Sequence, residues 1–382
     1  MALTNFAALD VDQKKVWSRD VWHQAREKMF TSRYMGKGQN SMIQRVTELT
    51  KSERGVEAVV TLVPDIQEDG VVGDNTLTGN EAAMKAHQDK ITIDQLRNGV
   101  RNTGKLTDQK TVINFREQAK DQLSFWLADR CDQLAFLSLA GITYDTKNDG
   151  SARGGNLINL AFAADVSAPS TDRYLQVSGT ELVPGDTATL TAADTLGYKH
   201  IVQLQALAKT RYVRGIRGKG GSEVYHLFLH PMAMAKLKVD QDFLDNARHA
   251  GVRGDGNTVW AGGDSYHVDG VIVTEFRHVP TTLGLSATVD PDGAGPLIGS
   301  KWGATGEVDG CAALLCGAQA LAFIDLDAGD WDERDHFDYG NSVGIAYGKI
   351  FGMKKCGFKD AKNSTDVNVK EDYGVIRINV AL

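Results

Sequence analysis

The segment between Asp108 and Gly141 constrains the fold more than any other part of the sequence, because it predicts one unusually long helix. It contains no glycine or proline before Gly141, which can end the helix, and Asp108 can cap its first turn. Apolar side chains recur at helical spacing, and those predicted to face the core include Leu123, Trp126, Leu127 and Leu134. At 1.5 Å per residue, a helix over 109–140 is about 45 Å long. That length exceeds what a compact domain needs, so we expect a spine along which other elements pack.

A long acidic excursion separates two runs that are typical of β-strands, Glu57–Val63 and Lys90–Leu96. Hairpin loops usually have about two to five residues, whereas residues 64–89 form a connection of 26. Six acids and one lysine, Lys85, give this connection a net charge of −5. It is either a solvated surface loop or an element that reaches another protein surface. We favour the second, because loops this long are uncommon inside compact domains and a two-stranded ribbon is marginally stable alone.

The composition of this 382-residue chain argues against several classes of protein. Its 42% hydrophobic and 24% charged residues are typical of a folded protein rather than a disordered one. A net charge of −7 argues against a protein that grips nucleic acid, although not against one that encloses it. No apolar run approaches the roughly 18–20 residues of a membrane span, and the first residues lack the pattern of a signal peptide. Four cysteines indicate reduced thiols and a cytosolic compartment.

The remaining segments predict an α+β fold, in which strands and helices do not alternate regularly. Residues 10–30 predict an amphipathic helix. Thr191 is expected to cap a second helix, and Pro231 to begin a third that extends to about His249. Short alternating strands surround these helices. The chain ends in a strand on which three apolar residues share one face: Ile376, Ile378 and Val380.

Sequence patterns for catalysis or cofactor binding do not emerge. The run Gly293–Lys301 has the wrong order for a phosphate loop and predicts an ordinary turn, and the spacing of Cys311 and Cys316 predicts no zinc site. We therefore predict no catalytic residues, no cofactor and no metal site. The acid-rich run 325–335 is interpreted as a solvated loop, with adventitious Ca²⁺ binding or an enzyme site around 325–338 as alternatives.

The segment 209–219 carries five basic residues and no acid. One interpretation is a nucleic-acid contact, with Tyr212 available for stacking on a base. The other is a solvated loop or a contact with another protein. We favour the second, because the chain as a whole is acidic.

Five stretches, in their order and spacing, resemble the major capsid proteins of tailed bacteriophages, and more narrowly the family of the coliphage N4 capsid protein. They are FREQAKDQLSFWLADRCDQLAFLSLAG (115–141), APSTDRYL (168–175), YHLFLHPMAMAKLKVDQDFLDNAR (225–248), LLCGAQALAFID (314–325) and FDYGNSVGIAYGKIFGMKKCGF (337–358). The resemblance spans nearly the whole chain. It implies the Johnson (Hong-Kong-97-type) capsid fold, a specific form of the α+β class.

The resemblance also implies a division of the chain into five regions. These are an N-terminal arm (1–50), an extended loop or E-loop (51–108), a peripheral (P) domain with the spine helix 109–140 (109–190), an axial (A) domain (191–340), and a return to the P domain with the C-terminal strand (341–382).

In a capsid the extended loop would contact a neighbouring subunit, which explains the acidic excursion. Its contacting carboxylates would be Asp65, Glu68, Asp69, Asp74, Glu81 and Asp89. The candidate partner surface is basic and consists of Arg97, Arg101, Lys105, Arg211, Arg214, Arg217 and Lys219.

The function that the resemblance implies is structural and non-catalytic. The chain would self-assemble into pentamers and hexamers, and these into the icosahedral head shell that encloses double-stranded phage DNA without binding a specific sequence. Expected partners are copies of itself, a separate scaffolding protein, the portal and a cement or decoration protein, with no membrane contact. Assembly would take place in the host bacterial cytoplasm, and the mature location would be the virion. An encapsulin-like compartment shell is the alternative.

Overall fold

The computed structural model describes residues 11–46, 57–62, 70–81, 87–104, 115–218, 221–249, 265–285, 301–326, 329–358 and 371–382. The α-helices in these ranges are α1 (Val11–Lys28), α2 (Phe115–Ala140), α3 (Tyr198–Thr210), α4 (Pro231–Val239) and α5 (Gln241–His249).

The strands begin with the arm and the extended loop: β1 (Met35–Gly36), β2 (Ile43–Val46), β3 (Glu57–Leu62), β4 (His87–Thr92) and β5 (Asp94–Arg101). The central part of the chain contributes β6 (Tyr174–Ser178), β7 (Glu181–Pro184), β8 (Ile216–Arg217), β9 (Glu223–Leu229), β10 (Ser265–Val268) and β11 (Val271–Glu275). The last part contributes β12 (Gly310–Cys316), β13 (Leu321–Asp325), β14 (Asp330–Phe337), β15 (Ser342–Lys355), β16 (Gly357–Phe358), β17 (Glu371–Asp372) and β18 (Val375–Ala381).

The spine helix α2 lies at the centre of the core. The predicted helix is present from Phe115 onward, while residues 109–114 and the proposed cap Asp108 lie outside the described residues. Of the side chains predicted to face inward, Trp126 is half-buried against the core and the leucines are buried: Leu123, Leu127 and Leu134. The helix contacts α1 on one side, β15 on another and β12 near its C-terminal half. It therefore joins elements that are far apart in the sequence.

The C-terminal end of the spine helix is closed by two sets of bonds. Gly141 follows the helix with a φ of 69°, in the left-handed region where glycine is favoured, and the N–H of Ile142 donates to the carbonyl of Leu137. The buried guanidinium of Arg377 on β18 also donates to the carbonyl of Ala140, at 3.0 Å. A cation here interacts favourably with the negative end of the helix dipole. The C-terminal strand is thereby tied to the spine.

The segment after α1 is held against the spine helix by one buried carboxylate. Asp132 accepts hydrogen bonds from the N–H of Phe30 at 2.9 Å and from the N–H and hydroxyl of Thr31 at 3.1 and 2.6 Å. Burial raises the pKa of Asp132, while these hydrogen bonds act in the opposite direction. Val21 and Ala25 of α1 are fully buried in the same core. The N-terminal segment is therefore part of the packed fold from α1 onward.

The six-stranded sheet is organised around β15. Strands β13 and β14 pair antiparallel with successive parts of one edge of β15, and β5 pairs antiparallel with the other edge. The arm strand β2 extends the sheet by pairing parallel with β13. The strand β15 thus receives partners from the extended loop and from the C-terminal third of the chain, and the arm joins the same sheet through β13.

The eight-stranded sheet has the order β10-β11-β9-β12-β18-β6-β7, with β8 paired to β9. Its central strands β12 and β18 are buried along their whole length, so the chain end is buried on both faces rather than on the one face expected from Ile376, Ile378 and Val380. This sheet combines strands from the three regions predicted as 109–190, 191–340 and 341–382. Together with α2 it makes one continuous core.

Two predicted helices are shorter than expected, because an aspartate within each predicted range binds a distant backbone. Thr191 does not cap a helix: its N–H and hydroxyl donate to Asp194, which also accepts the N–H of Gly179, and α3 begins only at Tyr198. The helix predicted from Pro231 to about His249 breaks at Asp240, whose ψ is 128°. The Asp240 carboxylate accepts the N–H of Tyr198 at 2.9 Å, so it caps the start of α3 instead.

An aromatic cluster joins the arm to the eight-stranded sheet. Phe30 stacks on Phe276 with ring centres 3.9 Å apart, and Phe228 meets it edge-on at 5.9 Å. His226 lies at the border of this cluster, with the Tyr34 ring 4.9 Å away. Its Nδ1 atom is buried and has no hydrogen-bond partner among the residues that the structure describes. Burial lowers the pKa of His226 to about 4, so the ring is neutral at pH 7.

Truncation of a spine leucine should destabilise the subunit strongly. Leu127→Ala leaves a cavity at a fully buried site, and we expect a loss of about 2–5 kcal/mol in the free energy of unfolding. Urea unfolding of the unassembled subunit would measure it. Gln122→Ala, on the exposed face of the same helix, is the matched control and should change stability by less than about 0.5 kcal/mol. Equal effects of the two substitutions would contradict the assigned burial.

Acid should destabilise the fold partly through His226. The folded pKa of about 4 lies below the ordinary value of 6.5, so between these values the unfolded chain binds the proton first and stability falls as the pH falls. Comparison with His226→Gln isolates this group from the carboxylates that titrate nearby. The stability advantage of the wild type over the variant should shrink by up to about 1.4 kcal/mol per pH unit between pH 6.5 and 4. A constant difference would show that the histidine does not titrate this way.

Candidate functional site

The extended loop joins the fold through a compact anchor at its base, which we define as residues 87–94. The Nζ of Lys354 on β15 lies 3.0 Å from a carboxylate oxygen of Asp89 and 3.6 Å from one of Asp165. Asp165 in turn accepts the N–H of Thr92 at 2.8 Å. Between them, Ile91 is buried in a small apolar cluster with Val46 and Ile324 of the six-stranded sheet. The loop base is therefore fixed by charge, hydrogen bonds and apolar contact together.

The predicted two-stranded ribbon is present. β3 and β4 pair antiparallel from Glu57 opposite Thr92 to Leu62 opposite His87. The second predicted run, Lys90–Leu96, spans two strands rather than one, because the chain leaves β4 at Thr92 and enters the six-stranded sheet as β5. At this junction a Cβ on Gly352 would lie 2.4 Å from the carbonyl oxygen of Thr92. The close approach of the loop base to β15 thus requires glycine at 352.

The distal part of the loop, which we call the loop tip, is described for residues 70–81. Gly70, Gly73 and Gly79 have positive φ values of 76°, 68° and 93°. Its hydrogen bonds are internal: the N–H of Asn80 donates to the carbonyl of Leu77 at 2.9 Å, and further bonds of this kind come from Asn75 and Gly79. The tip holds its own shape without hydrogen bonds to the rest of the described chain.

The loop tip exposes both apolar and acidic side chains. Val72 is 79% exposed and Leu77 is 60% exposed, and burial of these apolar side chains against another surface would be favourable. Asp74 and Glu81 are exposed beside them. Glu81 accepts the N–H of Gly79, and neither carboxylate has an ion-pair partner among the described residues. The tip therefore presents apolar and acidic side chains together on one exposed segment.

The predicted loop carboxylates divide into three groups. Asp74 and Glu81 lie on the exposed tip, as described above. Asp65, Glu68 and Asp69 lie outside the described residues. Asp89 is a correction: it is buried and paired with Lys354 of the same chain, because the second loop strand is drawn against β15 at this point. It anchors the loop instead of contacting a neighbour.

The candidate basic residues are not one surface. Arg97 and Arg101 lie exposed on β5, while Lys105 and Lys219 lie outside the described residues. In the segment 209–219, the guanidinium of Arg211 donates to the carbonyl of Asp172.

Neighbouring arginines of that segment also serve the fold. Arg217 has Glu223 at 4.0 Å, and its N–H donates to Asn40 at 2.7 Å. The carbonyl of Arg214 accepts the N–H of Ala318 at 2.8 Å. The segment is thus held to its own subunit largely through backbone groups, and Arg101 likewise makes a bond of its own, from its Nε to the hydroxyl of Ser342 at 2.9 Å.

Sequence reasoning missed an exposed aromatic turn next to Arg101. The turn between β14 and β15 presents Phe337, which is 37% exposed, and Tyr339, which is completely exposed. The guanidinium carbon of Arg101 lies 4.5 Å from the centre of the Phe337 ring. We call the four residues Arg97, Arg101, Phe337 and Tyr339 the arginine–aromatic patch. The turn residues Asp338, Gly340 and Asn341 signal a reversal of the chain, but no local signal shows that the aromatic side chains stay exposed.

The interpretation of the acid-rich run 325–335 as a solvated loop is wrong, because most of the run lies in strands. Asp325 ends β13 and is buried, with the Nζ of Lys349 at 2.6 Å and Arg45 as a second partner. Most of the remaining run forms β14, in which Asp332 pairs with Arg334 at 2.8 Å and Glu333 with Arg116 at 2.9 Å. The partners come from three places: neighbouring strands for Asp325, the same strand for Asp332 and the spine helix for Glu333. The linear sequence does not reveal the first and the last of these pairings.

Cation and membrane sites receive no support from the part of the chain that the structure describes. It contains no group of three or more His, Cys, Asp or Glu side chains placed to hold a metal ion. Its helices do not include one that is long and apolar enough to cross a membrane. All four cysteines are buried free thiols, as the sequence predicted. The phosphate-loop-like run Gly293–Lys301 lies almost entirely outside the described residues.

Solved structures with the same fold are phage capsids. The capsid of Ralstonia phage GP4 matches with a TM-score of 0.73 and 22% identity over 100% of this chain and 95% of that chain. The capsid asymmetric unit of cyanophage Pam1 matches with a TM-score of 0.67 and 19% identity, covering 100% and 96% of the two chains. The capsid of Helicobacter pylori bacteriophage KHP30 matches at 0.61 and 14% identity, over 93% and 90%. These likenesses confirm the predicted α+β fold of the Johnson capsid type.

Sequence comparison reaches further than fold. The major capsid protein of Pseudomonas phage KPP25 is 47% identical over 382 residues, which cover 99% of this chain and 97% of that protein. A family model described as phage capsid protein matches residues 5–382. With nearly its whole length matched, the chain belongs to the phage capsid protein family.

Proposed function

We propose that this chain is the major capsid protein of a tailed phage and that its copies assemble, as pentamers and hexamers, into an icosahedral shell around double-stranded DNA. The observation that carries this proposal is the 47% identity, over almost the full length of both chains, to a protein named as a major capsid protein. An encapsulin-like compartment is not favoured, because the matching family is that of phage capsids. The role is structural and non-catalytic.

The extended loop is the element that we propose to link neighbouring subunits. Its base is rigidly held by Lys354 and the pairing of β5 with β15, while its tip bonds only to itself among the described residues. A firmly anchored element with an exposed apolar and acidic end is suited to contact a surface outside its own subunit. Such contacts between identical copies are head-to-tail, and they close into rings when the rotation between copies allows it.

Enclosure of DNA without specific binding fits the charge of the chain. A net charge of −7 does not favour tight binding to phosphate, so the genome is contained rather than gripped. The partners that we propose are a separate scaffolding protein, the portal and a cement or decoration protein. Assembly would occur in the host bacterial cytoplasm, and the regions 1–50, 51–108, 109–190, 191–340 and 341–382 would serve as arm, extended loop, P domain, A domain and return segment.

Removal of the distal loop should abolish assembly without unfolding the subunit. Replacing residues 66–87 by a short Gly-Ser turn leaves Asp89, Ile91 and β5 in place, so we expect a soluble subunit with near-normal helix content. Circular dichroism would measure the helix content, and electron microscopy would count closed particles, which should be absent.

A second variant distinguishes the contribution of the length of the loop from the contribution of its side chains. It replaces residues 66–87 by a Gly-Ser segment of equal length, which preserves the span but removes the apolar and acidic side chains. We expect it to fail in assembly as the short variant does. Normal shells from the short variant would refute the proposed role of the loop, and an unfolded subunit would place the segment in the core instead.

A further inference from the structure

The turn that carries the arginine–aromatic patch is held in an unfavourable backbone conformation. Asp338 and Tyr339 have φ values of 49° and 52°, and Gly340 follows with 82°. The left-handed region costs free energy for residues other than glycine, and here two such residues occupy it in succession. Conformations of this kind persist where the surrounding structure enforces them, and they concentrate at sites of binding. The consequence here is that the Tyr339 side chain projects fully into solvent.

Two unneutralised arginines lie beside this turn. Arg97 and Arg101 are four residues apart on β5, so they share one face of the sheet about 13 Å from each other. Neither has an ion-pair partner among the residues that the structure describes. Asp332 lies on the neighbouring strand β14, but Arg334 already neutralises it at 2.8 Å. The exposed Asp330 of β14 also lies on this face, opposite Gly348, and the Nε of Arg101 donates to the hydroxyl of Ser342 at 2.9 Å. Counted over Arg97, Arg101 and Arg334 against Asp330 and Asp332, the face keeps a net charge of +1.

The floor between the arginines is formed by small residues. Arg97 pairs with Gly348 and Arg101 with Gly344 on β15, and Gly99 pairs with Ala346 between them. The opposite face of β15 is turned toward the core, where Ile345 and others are buried. The result is a shallow strip on the outer face of the sheet, with an arginine at each end and the two aromatic side chains at the Arg101 end.

The loop tip has the complementary chemistry. It pairs exposed apolar side chains, Val72 and Leu77, with the exposed carboxylates Asp74 and Glu81. The patch pairs exposed aromatic side chains with Arg97 and Arg101. Tyrosine and arginine are also the residue types that most often dominate the binding energy of protein interfaces.

We propose that the loop tip (residues 70–81) of one subunit docks on the arginine–aromatic patch of a second copy of this chain. The carboxylates Asp74 and Glu81 would pair with Arg97 and Arg101, and Leu77 or Val72 would pack against the Tyr339 ring. This contact rests on the proposed function, because it specifies where the extended loop binds on its neighbour.

The positions of tip and patch favour a contact between copies in a head-to-tail sense. The extended loop joins the sheet at Asp94, the first residue of β5, whereas the patch extends from Arg97 to Arg101 at the other end of that strand, where its two aromatic side chains lie. At about 3.4 Å per residue, the two ends are about 24 Å apart. Each subunit thus carries a donor element at one end of β5 and an acceptor patch at the other, which is the requirement for a repeating contact between identical copies.

The competing acceptor is the basic segment 209–219, which includes the exposed Tyr212. Its Arg211 and Arg217 already bind groups of their own subunit. The difference between the two surfaces is that Arg217 has a carboxylate partner, whereas Arg97 and Arg101 have none among the described residues.

A charge exchange tests the proposed pairing. The double reversal Arg97→Glu with Arg101→Glu should lower the fraction of subunits in closed particles about tenfold, because like charges then face each other across the contact. Adding Asp74→Arg and Glu81→Arg to the same chain should restore assembly. The matched control is Lys209→Glu with Arg214→Glu, two residues of the segment 209–219 whose side chains have no ion-pair partner among the described residues, and it should assemble as the wild type does. Sedimentation and electron microscopy measure assembly, and circular dichroism of unassembled subunits verifies folding.

Cysteine crosslinking provides a readout that does not depend on the charge variants. The native cysteines are all buried, so the added thiols in a Leu77→Cys, Tyr339→Cys variant would be the reactive ones. Mild oxidation of assembled particles should give a ladder of covalent multimers on a non-reducing gel, because every copy carries both halves of the contact. Leu77→Cys with Tyr212→Cys is the matched control and should remain monomeric.

The outcomes separate this inference from the proposed function. The inference is overturned if the reversed patch assembles normally, if the exchange does not restore assembly, or if the ladder forms with Tyr212→Cys instead of Tyr339→Cys. In each of these cases the extended loop still links subunits, provided that its deletion abolishes shells. Normal shells from the loop deletion would overturn the proposed role of the loop itself.

Discussion

Burial of the spine helix is the constraint on which the rest of the structure depends. The helix is too apolar to face water along most of its C-terminal half, so elements from the whole chain are recruited to cover it: α1 from the N-terminal segment, β15 from the six-stranded sheet and β12 from the eight-stranded sheet. Polar side chains fix where these elements lie. Asp132 holds the chain just after α1, and Arg377 of the last strand binds the final carbonyl of the helix. The N-terminal and C-terminal parts of the described chain are consequently both bonded to the spine helix.

A buried ion pair gives the six-stranded sheet a single arrangement. Asp325 of β13 and Lys349 of β15 are inaccessible to water and 2.6 Å apart, and Arg45 of β2 supplies a second cation. Burial lowers the pKa of Lys349, and the adjacent carboxylate opposes that shift. Such pairs add little net stability, but loss of one partner is costly, so β2 and β13 cannot slide relative to β15 without stranding a charge. This rigidity fixes the base of the extended loop as well, because β5 pairs with the same strand, β15.

Local signals in the sequence predicted which helices and strands form. Hydrogen bonds between residues distant in the sequence determined where several of these elements begin and end. Gly141 ended the spine helix and Pro231 began another, because glycine and proline act on the backbone where they stand. Asp194 and Asp240 were predicted to lie within helices. Each instead accepts a hydrogen bond from a backbone N–H that the fold brings near. The exposure of Tyr339 had no signal at all, since tyrosine occurs both buried and exposed and nothing in the local sequence distinguishes the two.

In this subunit the base of the extended loop is rigidly held, whereas the tip of the loop presents the exposed side chains. The loop base is fixed by Lys354 and by the pairing of β5 with β15, which sets the direction in which the ribbon leaves the fold. The loop tip is left with exposed apolar side chains and with carboxylates that have no ion-pair partner in the described part of the chain. An exposed ion pair contributes only about 0.2–1 kcal/mol, so one such contact would hold two subunits weakly. Weak contacts are an advantage for a closed shell, because misplaced subunits can dissociate before the particle closes, and the many contacts made by each copy then retain it.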